Sequence, residues 1–208
     1  MTLTADQAGT AAAPLALSVQ AQDLLFREAR TANTFTDKPV TDGQLQAIYD
    51  LIKWAPTSLN TQPLRLTAVR SAAARETLVS HMSDGNKAKT LAAPLALVVT
   101  VHRDFHDHLP VLVPHLPGAK DMFADPARRD AVGSFNAAIQ LGYLILGIRA
   151  AGLAAGPMAG FDAAAIERDL FPAGDQKVLA VVNVGHPGAD AYRPRAPRLA
   201  FDQVVTTV

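Results

Sequence analysis

The chain has 208 residues, of which 49% are hydrophobic and 18% charged; this is enough to bury the core of one domain and too apolar for a disordered chain. Its 19 lysines and arginines balance 19 aspartates and glutamates, so a nucleic-acid partner, which needs excess positive charge, is not expected. The chain has no cysteine, which excludes disulfides and thiolate chemistry, and no apolar run reaches the roughly 18 residues of a membrane span, so the cytoplasm is the default compartment.

The predicted elements begin after an Ala-rich segment. Residues 1–19 contain one apolar patch with no basic residue ahead of it, so we expect a flexible tail and not a signal peptide. A single domain is then expected over residues 20–208. Apolar residues at helical spacing predict a first helix that ends at about Arg30. Thr41 is a good N-cap for a second helix, whose apolar stripe ends before Pro56.

The rest of the chain mixes strands with helices. Leu64 to Val69 alternates apolar and polar residues, as a half-buried strand does. Two nearly continuous apolar runs predict buried strands, at Ala93–Val101 and Val178–Gly185. The remaining predicted helices are Ala72–Met82, the strongly apolar Phe135–Ala150, and Phe161–Phe171, which Asp162 opens. This order favours an α+β fold over a regular alternation of strand and helix.

A polar loop bounded by Pro56 and Pro63 follows the second helix. It contains Thr57, Ser58, Asn60, Thr61 and Gln62. Amide side chains present both a donor and an acceptor, which suits a flat heteroaromatic ring with donors and acceptors along one edge. An ordinary polar turn between a helix and a strand accounts for the same residues and, on chemistry alone, is the simpler interpretation.

Two basic segments could hold a phosphate. Arg30 is followed by the hydroxyl of Thr31 and the amide of Asn33, a set that can make charge-assisted hydrogen bonds to an anion. Near the C-terminus, three arginines are interleaved with prolines: Arg193, Arg195 and Arg198. Each segment has an ordinary alternative, because a helix C-terminus favours arginine through its dipole and an arginine-rich tail can simply be solvated.

A third candidate segment consists of small and apolar residues. It runs Gly156-Pro157-Met158-Ala159-Gly160 after the central helix. Small residues let backbone N–H groups approach a ligand closely, and such a donor near the nitrogen that gains charge on reduction assists hydride transfer to a flavin. The alternative is a tight turn that leads into the helix opened by Asp162. The glycine spacing does not match a dinucleotide-binding fingerprint.

A histidine-rich segment points to a different chemistry. Three histidines and two aspartates within seven residues could bind zinc or iron, which would make the protein a metal-dependent hydrolase or oxygenase. The histidines are His102, His106 and His108, and the first two have the i, i+4 spacing of a pair on one helix face. The segment directly follows a predicted buried strand and is expected to be a surface turn, so we predict no metal site there.

The order of these segments carries a family resemblance that none of them carries alone. An Arg-hydroxyl-amide segment, a Pro-x-Ser-x-Asn-x-Gln-Pro loop, a Gly-Pro-Met-x-Gly segment and a terminal arginine cluster follow one another over about 24–205. This set resembles the flavin-dependent nitroreductase family, most closely its branch of malonic semialdehyde reductases and NADH dehydrogenase/NAD(P)H nitroreductases. The stretches that resemble that branch are Lys53–Asn60, Gly85-Asn86 with Lys89-Thr90, Leu109-Pro110 to Pro114-His115, and Gly156–Asp162.

The resemblance implies a nitroreductase-like fold, with a central, mostly antiparallel sheet flanked by helices, in an intertwined homodimer with FMN at the interface. The residues implied to hold the FMN phosphate are Arg30, Thr31, Asn33 and Arg195, with Arg198 as a helper. Three arginines, Arg193, Arg195 and Arg198, fit the tail pattern of the family, so the choice among them stays open. Those implied to line the flavin ring from the other subunit are Pro56, Thr57, Ser58 and Asn60. Those implied to cover its reactive nitrogen are Pro157, Met158 and Gly160. Many family members carry Arg or Lys where Asn33 stands, so Arg30 and the tail must supply more of the charge.

The function that the resemblance implies is an FMN-dependent oxidoreductase. NADH or NADPH would give a hydride to the flavin, and a small electrophile would then be reduced in the same place, in a ping-pong mechanism. Malonic semialdehyde, nitroaromatics and quinones are the candidate acceptors. The flavin carries the chemistry, so no catalytic side chain is predicted. Two alternatives stay open: a metal-dependent enzyme that uses the histidine cluster, and a flavin-binding protein without turnover.

Overall fold

Four β-strands form one antiparallel sheet in the computed structural model, which describes residues 15–208. In chain order they are β1 (Leu64–Val69), β2 (Leu95–His102), β3 (Ala154–Met158) and β4 (Gln176–Gly185). Their spatial order is β1-β2-β4-β3, and every neighbouring pair is antiparallel. β1 and β3 are therefore the two edges of the sheet. The predicted α+β fold with a mostly antiparallel sheet is confirmed.

Helices precede, separate and follow the strands. Over residues 15–208 the α-helices are α1 (Val19–Gln22), α2 (Asp42–Ile52), α3 (Ala72–Ser80), α4 (Asp84–Ala92), α5 (Leu109–Leu112), α6 (Pro126–Ala150), α7 (Ala163–Leu170) and α8 (Phe201–Val204). A π-helical turn at Asp23–Arg27 continues α1, so the first predicted helix changes its hydrogen-bonding pattern partway along. The remaining helical turns are of the 3₁₀ type, at Ser58–Asn60, Phe105–His108 and Ala119–Phe123.

Side-chain caps explain where several helices begin. Thr41 and Gln44 form a capping box: Thr41 Oγ1 accepts from the Gln44 N–H at 3.2 Å, and Gln44 Oε1 accepts from the Thr41 N–H at 3.0 Å. Asp162 caps α7, as predicted. Asp125 caps α6, with Pro126 in the first turn, where the N–H that proline lacks would have had no helical partner.

Helices cover both faces of the sheet. The side chains of β2 alternate: Leu95, Leu97 and Val99 pack in one core cluster with residues of α2 and α6. Ala96 and Val98 pack in a second cluster with residues of α3 and α7. Because β2 is buried on both faces, its sequence is a nearly continuous apolar run, and the predicted buried strand is confirmed.

Three elements differ from the sequence prediction. α6 begins at Pro126 and not at Phe135, because its first turns are polar and lack the apolar pattern used to place it. α4 was not predicted; it is a polar helix with Gly85 near its start and no apolar stripe. Gly156–Met158 belongs to β3 and is not a turn, since pairing with β4 overrides the poor strand propensity of glycine and proline.

α6 is long and apolar enough to cross a membrane by length and composition alone, with 25 residues and a mean hydropathy of 1.5 over its most apolar window. The core helix of a soluble protein meets the same criteria, and α6 packs Leu144 and Ile148 into the first core cluster.

Residues 1–14 lie outside the part of the chain that the structure describes. The flexible tail and the domain boundary at residue 20 therefore stay predictions.

Candidate functional site

The two basic segments predicted to hold a phosphate meet in one cavity. Its volume is about 300 Å³. The lining residues are Ala29, Arg30, Thr31, Asn33, Arg193, Pro194, Arg195, Ala196 and Arg198. The two segments are separated by more than 160 positions in the chain, and Arg30 Nη1 donates to the Arg193 carbonyl at 3.5 Å. The wall contains four guanidinium groups and no acidic side chain, which makes the cavity suitable for an anion.

Backbone carbonyls, and not carboxylates, hold the tail arginines in place. Arg195 Nη2 donates to the carbonyl of Arg27 and, at 3.1 Å, to that of Ala29. Arg198 donates only to carbonyls of its own segment. Arg30 has a buried Nε with no hydrogen-bond partner in the described part of the chain, and its nearest acidic group is the exposed Glu28 at 3.5 Å. The positive charge of the cavity is therefore left largely uncompensated.

The Arg30 segment lies directly against β3. The Ala32 N–H donates to the Ala155 carbonyl at 3.0 Å. A Cβ atom on Gly156 would come within 2.6 Å of the Ala32 carbonyl oxygen, so only glycine allows this approach. The phosphate cavity therefore lies beside the start of β3, and the end of the strand at Met158 lies roughly 13 Å further along at about 3.3 Å per residue.

The Pro157–Gly160 segment has one side chain in the core and a tightly held backbone. Met158 is only 8% exposed, packs in the second core cluster, and accepts a hydrogen bond from Thr90 Oγ1 at its sulfur, at 3.8 Å. The side chain of Met158 is therefore not available to cover a ligand. The resemblance implied that Met158 covers the reactive nitrogen of the flavin, and only its backbone is left for that role. Pro157 is half-buried, and the Gly160 carbonyl accepts from Asn86 Nδ2 at 2.9 Å. Asn86 is a residue that the sequence analysis did not assign to the site.

The polar loop between Pro56 and Pro63 has an unusual backbone. Leu59, Asn60 and Gln62 have positive φ angles of 50°, 49° and 41°. Residues with side chains rarely adopt this left-handed conformation, and three of them within four positions store conformational strain. Such strain persists only where the surroundings impose it, and it is frequent in ligand-binding segments. The backbone thus favours the functional interpretation of this loop over an ordinary turn.

Two amide side chains on α6 hold the loop in this shape. Asn136 Oδ1 accepts from the Ser58 N–H at 2.7 Å, and Gln140 Oε1 accepts from the Leu64 N–H at 3.1 Å. Both amides are buried. Neither amide was predicted to support the loop. The pattern that could have indicated this role is two amides four positions apart, on one face of an apolar helix.

The loop's own side chains are partly engaged within the chain. Asn60 Nδ2 donates to the Leu112 carbonyl at 3.1 Å, and Asn60 Oδ1 accepts from Gln62 Nε2 at 2.7 Å. Thr57 Oγ1 accepts from the Gln62 N–H at 3.2 Å. Pro56 and Ser58 are exposed. The amide of Asn60 was expected to be free for a ligand, and instead it stabilises the loop and α5 together.

The loop and the phosphate cavity lie at opposite corners of the sheet. The loop precedes β1 at one edge, whereas the cavity adjoins β3 at the other, about three strand spacings or roughly 14 Å away. The start of β1 lies level with Lys177 of β4, because Leu64 pairs with Val101 and Val101 pairs with Lys177. The start of β3 lies level with Gly185, eight residues further along β4. This adds roughly 26 Å along the strands. One chain alone does not bring the two parts together.

A larger cavity, of about 500 Å³, lies beside the loop. Its wall is mostly apolar and includes Gln62, Leu112 and Gln140. Two cationic side chains, Lys53 and Arg65, also line it. Burial lowers the pKa of Arg65 below its usual value, but a guanidinium stays charged at any physiological pH. The cavity therefore combines apolar walls with positive charge.

The side chains of the histidine segment contact other residues of the chain. His106 is buried, and Arg129 Nη1 lies 2.9 Å from its Nε2, so this nitrogen faces a positive charge. Burial, and next the positive charge of Arg129, lower the pKa of His106 from its usual 6.5. The rings of His102 and His108 contact each other edge to face, with centroids 5.6 Å apart. Within residues 15–208 no three metal-binding side chains come together.

Comparison with known proteins agrees with this architecture of helices on both faces of an antiparallel sheet. The model of the nitroreductase family matches residues 26–186. A Streptomyces griseus protein with the provisional name NADH dehydrogenase/NAD(P)H nitroreductase is 58% identical over 196 residues, which is 93% of this chain and 99% of that protein. A Streptomyces coelicolor protein of the same provisional name is 57% identical over 195 residues, 93% of this chain and 99% of that protein. The chain belongs to the nitroreductase family.

Solved structures show the same fold at low sequence identity. A Bacillus subtilis structure described as a nitroreductase superposes with a TM-score of 0.76 at 22% identity, covering 88% of this chain and 97% of that one. A structure from Exiguobacterium sibiricum, described as a nitroreductase in complex with FMN, superposes with a TM-score of 0.80 at 16% identity, covering 92% and 98%. These similarities confirm the predicted nitroreductase-like fold.

Proposed function

We propose that the protein is an FMN-dependent oxidoreductase that takes a hydride from NAD(P)H and reduces a small electrophile in a ping-pong mechanism. The observation that carries the proposal is the single cavity formed by Arg30, Thr31 and Asn33 with Arg195 and Arg198. The provisional names of the Streptomyces relatives support NAD(P)H as the donor, and the FMN complex of a protein with the same fold supports the cofactor.

The residues of the cavity fit the phosphate of FMN. A phosphomonoester carries about −1.5 to −2 charges at neutral pH and accepts several hydrogen bonds. Arg30 offers a buried Nε that has no partner among residues 15–208, and Thr31 and Asn33 line the same cavity. We assign the phosphate to these three residues and to Arg195, with Arg198 as a helper.

The ring of the flavin would then extend along β3 toward Gly160. We propose that Pro157 and the backbone of Met158 and Gly160 lie against this ring. The side chain of Met158 is in the core and takes no part. Pro56, Thr57, Ser58 and Asn60 would face the ring from a second copy of the chain, since the two edges of one sheet are too far apart. The proposed unit is therefore a homodimer with two flavins at its interface.

When bound, the flavin supplies the chemistry by accepting a hydride from NAD(P)H and passing it to the acceptor. The side chains hold and orient the cofactor, and none is assigned as an acid or a base. Malonic semialdehyde is our proposed acceptor within a wider range of nitroaromatics and quinones. Its carboxylate needs a cation, and Arg65 lines the apolar cavity beside Gln62, whereas the ammonium of Lys53 in the same wall is paired with Asp50 at 2.7 Å.

The test is anaerobic mixing of the purified protein with NADH and with NADPH, followed by the visible absorbance of the flavin. A yellow protein that releases FMN on denaturation and is bleached by either donor supports the proposal. A protein that binds FMN but is bleached by neither is a flavin-binding protein without turnover. A colourless protein that cannot be reconstituted with FMN contradicts the proposal outright.

A further inference from the structure

We propose that Thr90 is a positioning residue, whose buried hydroxyl fixes the end of β3 against the flavin and so sets the redox potential of the bound cofactor. This role rests on the proposed function, in which Pro157 and the backbone of Met158 and Gly160 lie against the flavin ring. β3 is an edge strand, so within residues 15–208 only β4 pairs with it. Contacts with another element therefore help to decide where the end of β3 lies.

The hydroxyl of Thr90 joins α4 to two strands of the sheet. Thr90 is completely buried. Its Oγ1 donates to Met158 Sδ of β3 at 3.8 Å and accepts from Asn183 Nδ2 of β4 at 3.3 Å. Asn183 lies opposite Gly156 in the register of β3 and β4. One hydroxyl therefore makes hydrogen bonds to side chains of both strands, behind the backbone that is proposed to lie against the ring.

Two contacts of α4 match the spacing of the segment that they hold. Asn86 lies one turn before Thr90, and its Nδ2 donates to the Gly160 carbonyl at 2.9 Å. Four residues of an α-helix rise about 6 Å, and two residues of extended chain span about 6.6 Å. The helix thus runs alongside the segment from Met158 to Gly160 and contacts both of its ends.

A buried arginine on α3 fixes α4 itself. Arg75 Nη1 donates to the carbonyls of Thr90 and Ala93, each at 2.7 Å, and Arg75 Nη2 donates to the Val69 carbonyl of β1 at 3.0 Å. The last carbonyls of a helix have no partner within the helix, so this guanidinium satisfies groups that would otherwise be unpaired. Thr90 is thus at a point of α4 whose position the core determines, which is what a positioning role requires.

Stability alone does not account for this polar network. Thr90 contacts Met158, a member of the second core cluster, whose other members are apolar. Asn183 Oδ1 is buried and has no hydrogen-bond partner among residues 15–208, a cost that an apolar pair of the same shape would avoid. Apolar cores of the right volume stay stable but lose a unique arrangement, whereas hydrogen bonds are directional. The network therefore specifies a position for β3 at some expense of stability.

The position of this backbone affects the redox potential of the cofactor. A backbone N–H donor near the flavin nitrogen that gains charge on reduction stabilises the reduced form. A hydrogen bond weakens steeply when its geometry departs from the preferred distance and angle. A small displacement of the backbone between Met158 and Gly160 would therefore weaken such a donor. Loss of the Thr90 hydroxyl should make the potential more negative and slow reduction by NAD(P)H.

The experiment compares Thr90→Val, which keeps the shape of the side chain and removes its hydroxyl, with Thr90→Ser, which keeps the hydroxyl. Spectroelectrochemical titration gives the midpoint potential of bound FMN, and stopped flow gives the rate of bleaching by NADH and by NADPH. We expect Thr90→Val to lower the potential by about 30 mV, which is a tenfold loss in stabilisation of the reduced form for a two-electron couple, and to slow bleaching about tenfold. Thr90→Ser should restore both values toward those of the unchanged protein.

Two further variants show whether the hydrogen bond to Met158 carries the effect. Thr77→Val is the matched control, because it removes a hydroxyl that donates within α3, to the Ala73 carbonyl at 3.0 Å; it should change neither value. Met158→Leu removes the sulfur acceptor and keeps an apolar side chain of similar volume, so its potential should shift in the same direction as that of Thr90→Val. In the double variant the two shifts should not add, since residues joined by one hydrogen bond are coupled.

The outcomes separate this inference from the proposed function. Equal potentials in Thr90→Val and the unchanged protein overturn the inference, as do an equal shift in Thr77→Val, no restoration in Thr90→Ser, or additive shifts in the double variant. If Thr90→Val loses FMN, amide hydrogen exchange over residues 156–162 is compared in the two flavin-free proteins; it should be faster in the variant, and equal rates overturn the inference. In each case an unchanged protein that binds FMN and is bleached by NAD(P)H leaves the proposed function intact, whereas one that cannot bind FMN contradicts that function itself.

Discussion

At the scale of single residues, the phosphate cavity depends on charged groups that make few hydrogen bonds or ion pairs within residues 15–208. Arg30 has its guanidinium between an exposed carboxylate, a backbone carbonyl and open cavity, with Nε buried and unpaired. A buried polar group without a partner costs about 1–3 kcal/mol, which a phosphate oxygen would recover on binding. Arg30 is therefore where the energetic argument for an anion is strongest.

Arg30→Ala should weaken FMN binding more than any change at an arginine outside the cavity. Removal of a charge-assisted contact of about 1.5–3 kcal/mol raises the dissociation constant roughly 10- to 150-fold. Arg27→Ala is the matched control, because it removes the same charge from an exposed side chain three positions away. Fluorescence titration of the apoprotein with FMN measures both. Equal FMN affinity in the two variants would show that the phosphate is held elsewhere.

His106 should make stability depend on pH. Burial and the charge of Arg129 lower its pKa from 6.5, so the folded protein keeps it neutral while the unfolded chain binds a proton. Stability should thus be lost as the pH falls from about 6.5 toward the lower pKa of the folded state, and level off below it. We expect the melting temperature to fall less steeply between about pH 7.5 and pH 5.5 in His106→Gln. The exposed His115→Gln should keep the original slope; the same slope in all three proteins contradicts the assignment.

The sequence predicted the residues that line the phosphate cavity better than those that support the polar loop. Arg30 and Thr31 could be predicted because their chemistry is local, and the family order added the terminal arginines. Asn136 and Gln140 could not, because their role depends on the loop packing against α6, a contact about 80 positions apart in the chain. The hydrogen bond from the Asn60 amide to the Leu112 carbonyl could not be predicted either, because it also joins residues far apart in the chain.

At the scale of elements, β3 organises the site. Its start contacts the Arg30 segment, and beyond its end the backbone is tied to the segment before α4, where the Ser83 N–H donates to the Gly160 carbonyl at 3.0 Å. Its sequence contains glycine and proline, which have low strand propensity, so the segment was not predicted to be a strand. It is a strand because it pairs with β4, and the sequence of one segment does not reveal a pairing with a segment more than 20 positions away. Strong patterns, such as those of β2 and α2, were predictable because each follows from the periodicity of a single segment.

Gly160→Ala should displace Asn86 and loosen the backbone proposed to cover the flavin. A Cβ atom there would lie 2.7 Å from Asn86 Nδ2 and 3.1 Å from Ser83 Oγ. We expect a loss of about 1–3 kcal/mol in unfolding free energy, and slower reduction of bound flavin by NAD(P)H. The control is Gly85→Ala, which meets nothing within 4 Å and should change stability by no more than about 1 kcal/mol. Unchanged reduction kinetics in Gly160→Ala would remove this segment from the site.

At the scale of the whole molecule, several large apolar side chains lie on the surface of the described residues. The side chains of Phe201 and Leu199 are 77% and 70% exposed, and Trp54 is 78% exposed. Trp54 is thus not a core residue. Large apolar patches on soluble proteins mark interaction surfaces. The proposed second copy would cover them and bring its loop at Pro56–Pro63 to the flavin ring. One chain alone does not bring the two parts together, because they lie at opposite corners of its sheet.

Deletion of residues 200–208 should therefore abolish both dimerisation and flavin retention. The shortened chain keeps Arg193, Arg195 and Arg198, so the phosphate cavity of the single chain stays complete. It loses Phe201, Val204 and Val205, whose burial in a dimer would contribute roughly 1.5–3 kcal/mol for each fully covered side chain. Sedimentation velocity gives the mass, and absorbance gives the flavin content of the same sample. Deletion of residues 206–208 alone should leave both unchanged. A shortened monomer with a full complement of FMN would show that the loop of a second copy is not part of the site.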